Sequence, residues 1–544
     1  MQARTITALA LSIAASCPLA AIASVELDGR HVTPEAIARI AQGEPALIAP
    51  AARERVRQSH QLLLDAARQG QQIYGLTVGV GENKDREMVD ARGQLTPEVI
   101  DASRRFNIGL LRSHGMGTGP DASVADTRAA MAARLNGMLA GGSGVQPSIV
   151  DAYAAALNAG VTPAMPANGS VGEADITLLA HIGIGLMGEG EAYYRGRKQP
   201  ALQALQASGI VPITPFGKDG LSILSSNAYS AGLAALTLHE MDHLATVAKQ
   251  VYALSLQALN GNVSPFLEDT LALRPFPQTV RAGTELRRLL DGSSLWQHDP
   301  ARPLQDPLSY RTSVYLLGEL DRANAASRAL IDIQLNSSDD NPGIALGVHP
   351  KSDRAQESQG YLQGGAVLPS ANFEPLPWVL AFESLGIALA QHGLGVAQRV
   401  VKLNDTKFTG LPRFLGTDTA VQALAEIEKP ATALAMEIKA LAQPVSLDYL
   451  PMAGNIEDVA TNAPAAVQRV RKQIDNTYAL LAIEAIQAAQ AIDLRRRKQP
   501  TFTLSPSSQK LYDALRARAP FIDQDRALTD DFRAATQVLR QMPQ

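Results

Sequence analysis

Apolar residues recur at helical spacing over most of the chain. The pattern is clearest over residues 150–159, 221–259, 378–403 and 465–497, with shorter stretches at 36–40 and 52–67. Several of these exceed the usual length of a globular helix, which predicts an all-α protein built on a bundle of long antiparallel helices. Thr33-Pro34-Glu35 reads as an N-cap, a proline in the first turn and an early acid. Residues 24–29 read as a short strand and turn. Residues 73–82 break the pattern, with glycines at 75, 79 and 81 that mark a mobile loop. Loops rich in Pro, Gly, Asn and Asp fall at 163–172, 337–347 and 444–462. The organisation this predicts is a leader over 1–23, an N-terminal helical region over 24–220 carrying the loop around Tyr74, a central long-helix bundle over 221–500, and a helical tail over 501–544.

The N-terminus changes the picture. Arg4, an apolar stretch over residues 6–15, Pro18 and Ala21-Ile22-Ala23 form a secretory signal, too short for a membrane span. Cleavage is expected after Ala23, which makes the protein periplasmic or secreted, with no membrane attachment once the signal is gone. The only cysteine, Cys17, lies within that signal. A mature chain without a thiol excludes disulfides, thiolate catalysis and cysteine metal sites. Of the 544 residues, 46% are hydrophobic and 19% charged, and the net charge is −4 with both signs spread along the chain, so no nucleic-acid surface is expected. The basic run over residues 495–498 reads as a solvated helix end. No His/Asp/Glu cluster is read at metal-ligand spacing, and no P-loop or dinucleotide fingerprint occurs.

The residues with chemical potential sit in the loops and at helix ends, where functional groups usually lie. Singly, each has a bland explanation. Tyr74 could be packed, His114 could be a satisfied core or surface histidine, Asp306 and Arg311 could be a structural pair, and Glu173 and Asp175 could cap a helix. Their order is more specific. Tyr74-Gly75-Leu76-Thr77-Val78-Gly79-Val80-Gly81, Ser113-His114, Gly169-Ser170-Val171-Gly172 with Asp175 and Leu179-Ala180-His181, and Gln305-Asp306-Pro307-Leu308-Ser309-Tyr310-Arg311 come first. Asp340-Asn341-Pro342, Asn372-Phe373, Leu411-Pro412 with Phe414-Leu415, and Asn455-Ile456-Glu457-Asp458 follow. These eight blocks resemble, in order, the signatures of the histidine, phenylalanine and tyrosine ammonia-lyases. The resemblance implies the long-helix, fumarase/aspartase-like bundle, a homotetramer and a small aromatic amino acid as substrate. It implies Tyr74 as catalytic base, assisted by Glu457. It places His114, Glu173, Ser225, Asn227, Arg311, Asn341, Glu374 and Asn455 around the substrate.

The departures matter as much. The family makes its electrophile, a methylidene-imidazolone (MIO), by cyclising an internal Ala-Ser-Gly. Here Gly172-Glu173-Ala174-Asp175 stands in its place, one residue shorter. The Ala207-Ser208-Gly209 triad lies about thirty residues later and reads as a decoy. No MIO and no other cofactor are therefore expected. Ser225 stands at a family asparagine, Leu308 at a tyrosine with Tyr310 as the substitute base, Glu374 at a histidine and Ile456 at a glutamine. Without the electrophile, elimination needs a better leaving group, and a quaternary ammonium leaves as a neutral amine. In this respect the chain resembles the MIO-less ergothionase branch, which eliminates trimethylamine from ergothioneine. Three readings stand: a MIO-independent C–N lyase acting on such a betaine, an ordinary histidine or tyrosine ammonia-lyase, and a non-catalytic periplasmic binding protein on a lyase scaffold.

Overall fold

The computed structural model describes residues 24–79, 97–447 and 449–543. The predicted leader over 1–23 with Cys17, and Val80 and Gly81 of the glycine loop, lie outside them. The protein is 59% helix and 7% strand, and its centre is the bundle that the periodicity predicts. Helix Ala463–Lys498 packs against Ala228–Leu259 and Leu376–Leu403. Ser313–Leu335 lies against Leu376–Leu403, and Val124–Leu139 against Ala228–Leu259. Alanine is frequent at the contacts and lets helix axes approach closely. Ala231, Ala234, Ala235, Ala248, Ala482, Ala485 and Ala488 are all buried. Two stretches are apolar and long enough to span a membrane, 219–259 and 376–403. Their most apolar windows are 94% and 61% buried within the protein, which marks them as bundle helices.

Most predicted elements form where expected. Helix Pro34–Ala41 follows the Thr33 cap, whose hydroxyl accepts from the Ala36 amide at 3.2 Å. Strand Val25–Leu27 pairs in parallel with Ala46–Ile48. One element differs. The apolar pattern over 221–259 reads as a single helix, yet the chain forms Asp219–Leu224 and then Ala228–Leu259. The break at Ser225–Asn227 has distant causes: the Asp175 amide donates to the Ser226 carbonyl at 2.8 Å, and the Asn227 amide donates to Asp339 at 2.8 Å. Backbone groups taken by partners more than fifty residues away cannot also close the helical ladder.

Candidate active site

Four segments converge on a cavity of about 450 Å³ beside Tyr74. The first, Glu173 to Ile176, leads into helix Ile176–Leu186. The second is the break at Ser225. The third carries Asn341, and the fourth runs from Ala371 to Glu374 before helix Leu376–Leu403. Residues Ile456 to Val459 close the remaining side. Tyr74 stands in a tight turn, in which the Gly75 amide donates to the Val78 carbonyl at 3.1 Å and Gly75 takes φ +76°. A Cβ on Gly75 would strike Leu221 at 2.5 Å, so that position requires glycine twice over.

Six of the predicted site residues line this one cavity: Tyr74, Glu173, Ser225, Asn341, Glu374 and Glu457. Asn227 stands behind it, its amide donating to the Phe373 carbonyl and so tying two walls together. Asn455 flanks the wall formed by 456–459. Three apolar lining residues, Ile176, Ala371 and Val459, carry no signal in the sequence. Asp458 adds a fourth carboxylate that went unweighted beside Glu457. No cationic side chain lines the cavity among the described residues.

Glu173 is the most perturbed of these acids. Burial, then the neighbouring Glu374 carboxyl, then the Glu457 charge push its pKa up to about 8, against a single opposing hydrogen bond from the Thr461 backbone. One of its carboxyl oxygens is buried with no protein hydrogen bond. The helix that begins at Ile176 has no side-chain capping bond at Asp175. Asp175 instead turns inward. It accepts from Ser170 Oγ at 2.6 Å and from the Ser230 amide and hydroxyl at 2.8 Å each.

The segment does not fit an MIO. It has no serine to dehydrate and no glycine amide to attack, and its own amide at Asp175 is spent on Ser226. Ala207-Ser208-Gly209 closes helix Ala201–Ala207 as an ordinary C-terminus. The Ser208 hydroxyl bonds the Ala204 and Leu205 carbonyls at 2.9 Å, and Gly209 takes φ +72°.

Three predicted residues stand elsewhere. Tyr310, the substitute base, is corrected: its ring is fully buried and its hydroxyl shares a hydrogen bond with Ser255 at 3.0 Å, so it reaches no ligand. It neighbours Arg399, whereas Glu374 sits just before the start of the same helix. At 1.5 Å per residue, 23 residues separate the two ends by about 35 Å. Arg311 shares that far end. It is partly exposed and donates to Gln305 at 2.7 Å. His114 ends helix Pro97–His114 with its ring bonded to the Leu110 carbonyl at 2.8 Å, and it does not line the cavity.

One metal-like spacing escaped the sequence reading. His239-Glu240-Met241-Asp242-His243 is a His-Glu-x-x-His run on a helix. Both His243 nitrogens are engaged, with the Tyr478 hydroxyl at 2.5 Å and the Met542 carbonyl at 2.8 Å, and Glu240 pairs with Arg540. No metal-binding group exists among the described residues.

The family model for aromatic amino acid lyases matches residues 32–517. The chain belongs to the aromatic amino acid lyase family. Histidine ammonia-lyase from Chloroflexus aurantiacus is 32% identical over 516 residues, covering 93% of this chain and 94% of that protein. The enzyme of the same name from Koribacter versatilis is 31% identical, covering 95% and 98%. Among solved structures, ergothionase from Treponema denticola, an ergothioneine-degrading enzyme, superposes with a TM-score of 0.85 at 34% identity, covering 95% and 99%. Tyrosine aminomutase from Streptomyces globisporus gives 0.84 at 28%, covering 95% and 97%. This lyase is therefore a carbon–nitrogen lyase on the ammonia-lyase helical scaffold.

Proposed function

We propose that this lyase eliminates a tertiary amine from a quaternary-ammonium amino acid of the histidine type, such as ergothioneine, without an MIO. The observation that carries this reading is the cavity wall itself. Where the family's signature carries its electrophile, the chain presents Glu173, backed by Glu374, Glu457 and Asp458, with no balancing cation on the described lining. An electrophile there would attack a neutral amine, whereas carboxylates attract a permanent cation and are desolvated at a cost unless one arrives. The likeness to ergothionase supports the same substrate class.

In the reaction, Tyr74 as its phenolate takes the β-proton, the Cβ–H bonding pair forms the Cα–Cβ double bond, and the C–N bond breaks. The nitrogen keeps the bonding pair and departs as a neutral trialkylamine. The product is the conjugated ring acrylate. Within one chain Arg311 lies too far away to bind the substrate carboxylate. A homotetramer would let another copy supply it, and His114 with it. The exposed stripe of Leu376, Leu380, Ile387 and Leu394 along helix Leu376–Leu403 supports self-association. The leader supports export to the periplasm or the medium.

The curated histidine ammonia-lyases, similar over nearly the whole chain, favour a second reading: ammonia loss from histidine itself. Incubation of the pure protein with ergothioneine, hercynine, histidine and tyrosine separates the two. The ultraviolet band of a conjugated acid, with stoichiometric trimethylamine, is expected from the betaines. Turnover of free histidine with ammonia release, and none of the betaines, would overturn the proposal.

A further inference from the structure

Beside the cavity lies a buried charge network that does not line it. Arg134, on helix Val124–Leu139, is fully buried. Its guanidinium donates to the Ser222 carbonyl at 2.7 Å, to Asp340 at 2.6 Å and to Asp339 at 3.3 Å. Lys218, also fully buried, stands 3.6 Å from Asp340 and donates to the Ser143 carbonyl at 3.1 Å. Two cations and two carboxylates thus meet in one buried group.

Several outward bonds of this network lead to the cavity walls. Asp339 accepts from Ser226 Oγ at 2.9 Å and from the Asn227 amide at 2.8 Å, which fixes the helix break that presents Ser225. The Ser226 carbonyl takes the Asp175 amide, which holds the end of the Glu173 segment. The Asp340 carbonyl accepts from Ser370 Oγ at 2.7 Å, and the Ser370 amide donates to Asn341 at 2.9 Å, which joins the Asn341 and Glu374 walls. Apolar residues of similar volume would hold such a place about as well or better, because burying charges costs several kcal/mol per ion. What they could not do is reach four separate backbone segments with directional bonds.

We infer that Arg134 is a positioning residue. Through Asp339 and Asp340 it sets the mutual placement of the segments that bring Glu173, Ser225, Asn341 and Glu374 to the cavity. The inference holds for either leaving group, since it concerns geometry that both reactions require.

Two variants test it. Asp339→Asn removes the charge facing Arg134 at constant size, and Ser226→Ala removes one hydroxyl bond to Asp339. Hydrogen exchange on the substrate-free protein is expected to rise together in segments 170–176, 222–228, 337–343 and 368–375, with the bundle helices unchanged. For Ser226→Ala, kcat for ergothioneine, or for histidine on the second reading, should fall about tenfold with KM within about twofold, as sub-ångström misplacement predicts. Should Asp339→Asn fail to fold, Ser226→Ala decides alone. Faster exchange at 222–228 only, or a rate loss that tracks global melting, would overturn the positioning role. Exchange needs no substrate, so this failure is distinguishable from a wrong substrate assignment.

Discussion

The bundle core and the cavity both bury charge, and they treat it in opposite ways. In the core, Arg399 and Glu484 are fully buried and meet in two parallel bonds of 2.6 and 2.9 Å, with the remaining guanidinium arm on Ser313 at 2.9 Å. Each charge of this pair has its partner inside the fold. In the cavity, Glu173, Glu374, Glu457 and Asp458 gather with no cation on the described lining, and burial beside these acids pushes the Glu173 pKa up to about 8. Balanced charge is structure, complete without a ligand. Unbalanced charge in a cavity is a binding preference, relieved by a proton until a cation takes its place.

If that contrast is right, cavity variants should change chemistry and leave stability nearly alone, while core variants should do the reverse. The largest effect is expected for Tyr74→Phe. Turnover should fall about 10²–10⁴-fold with substrate binding and melting temperature retained, as loss of a general base predicts. Near wild-type kcat would remove Tyr74 from the base role, and Tyr310, sealed in the core, could not replace it. In the core, Arg399→Leu strands the Glu484 carboxylate and should cost about 3–5 kcal/mol in urea unfolding. An equally stable variant would mean that the core pair is not the balanced unit described.

Arg311→Lys comes next. A lysine cannot reproduce a two-pronged carboxylate contact, so kcat/KM should drop roughly 10–100-fold, the worth of one charge-assisted hydrogen bond. In a protein diluted to monomer the wild type should lose the same activity, because Arg311 lies about 35 Å along the bundle from its own cavity. Activity in a monomer would refute supply from a second copy.

The fold was legible because period and length suffice for long helices. The ends of Pro50–Arg68 and Leu376–Leu403 fall within two residues of the apolar pattern. The break at Ser225–Asn227 was not legible, since alanine and leucine continue straight through it and its causes, Asp175 and Asp339, are remote in sequence. Six cavity residues could be named in advance because ordered motifs carry them. Ile176, Ala371 and Val459 could not, as apolar lining looks like any other packing. Tyr310 and Arg311 adjoin in the short helix Leu308–Arg311 yet differ in fate: one side chain is sealed in the core and the other is partly exposed. Proximity in a motif says nothing of which way each points.

The smallest predicted effect concerns Glu374→Gln. It removes the second cause of the raised Glu173 pKa, leaving burial as the main one. Glu173 binds its proton more tightly in the folded chain than at its ordinary value of 4.5, so folding stability falls as pH rises between that value and about 8. Melting temperature followed across that window should slope downward in the wild type, less steeply in Glu374→Gln, and not on this account in Glu173→Gln. An identical slope in all three would place the titrating group elsewhere.

The most direct test compares a ligand that carries the cation with one that does not. Affinity for hercynine and for 3-(imidazol-4-yl)propanoate, which fills the ring pocket without an ammonium, should be measured in the wild type and in Glu173→Gln at pH 6.5 and 9. Glu374, Glu457 and Asp458 face the same space and are left unmutated. The wild type should bind hercynine more tightly at the higher pH, where Glu173 has lost its proton, and Glu173→Gln should lose that gain while binding the propanoate as before. Equal losses for both ligands, or a wild-type preference for hercynine that ignores pH, would contradict the claim that Glu173 is the seat of a permanent cation.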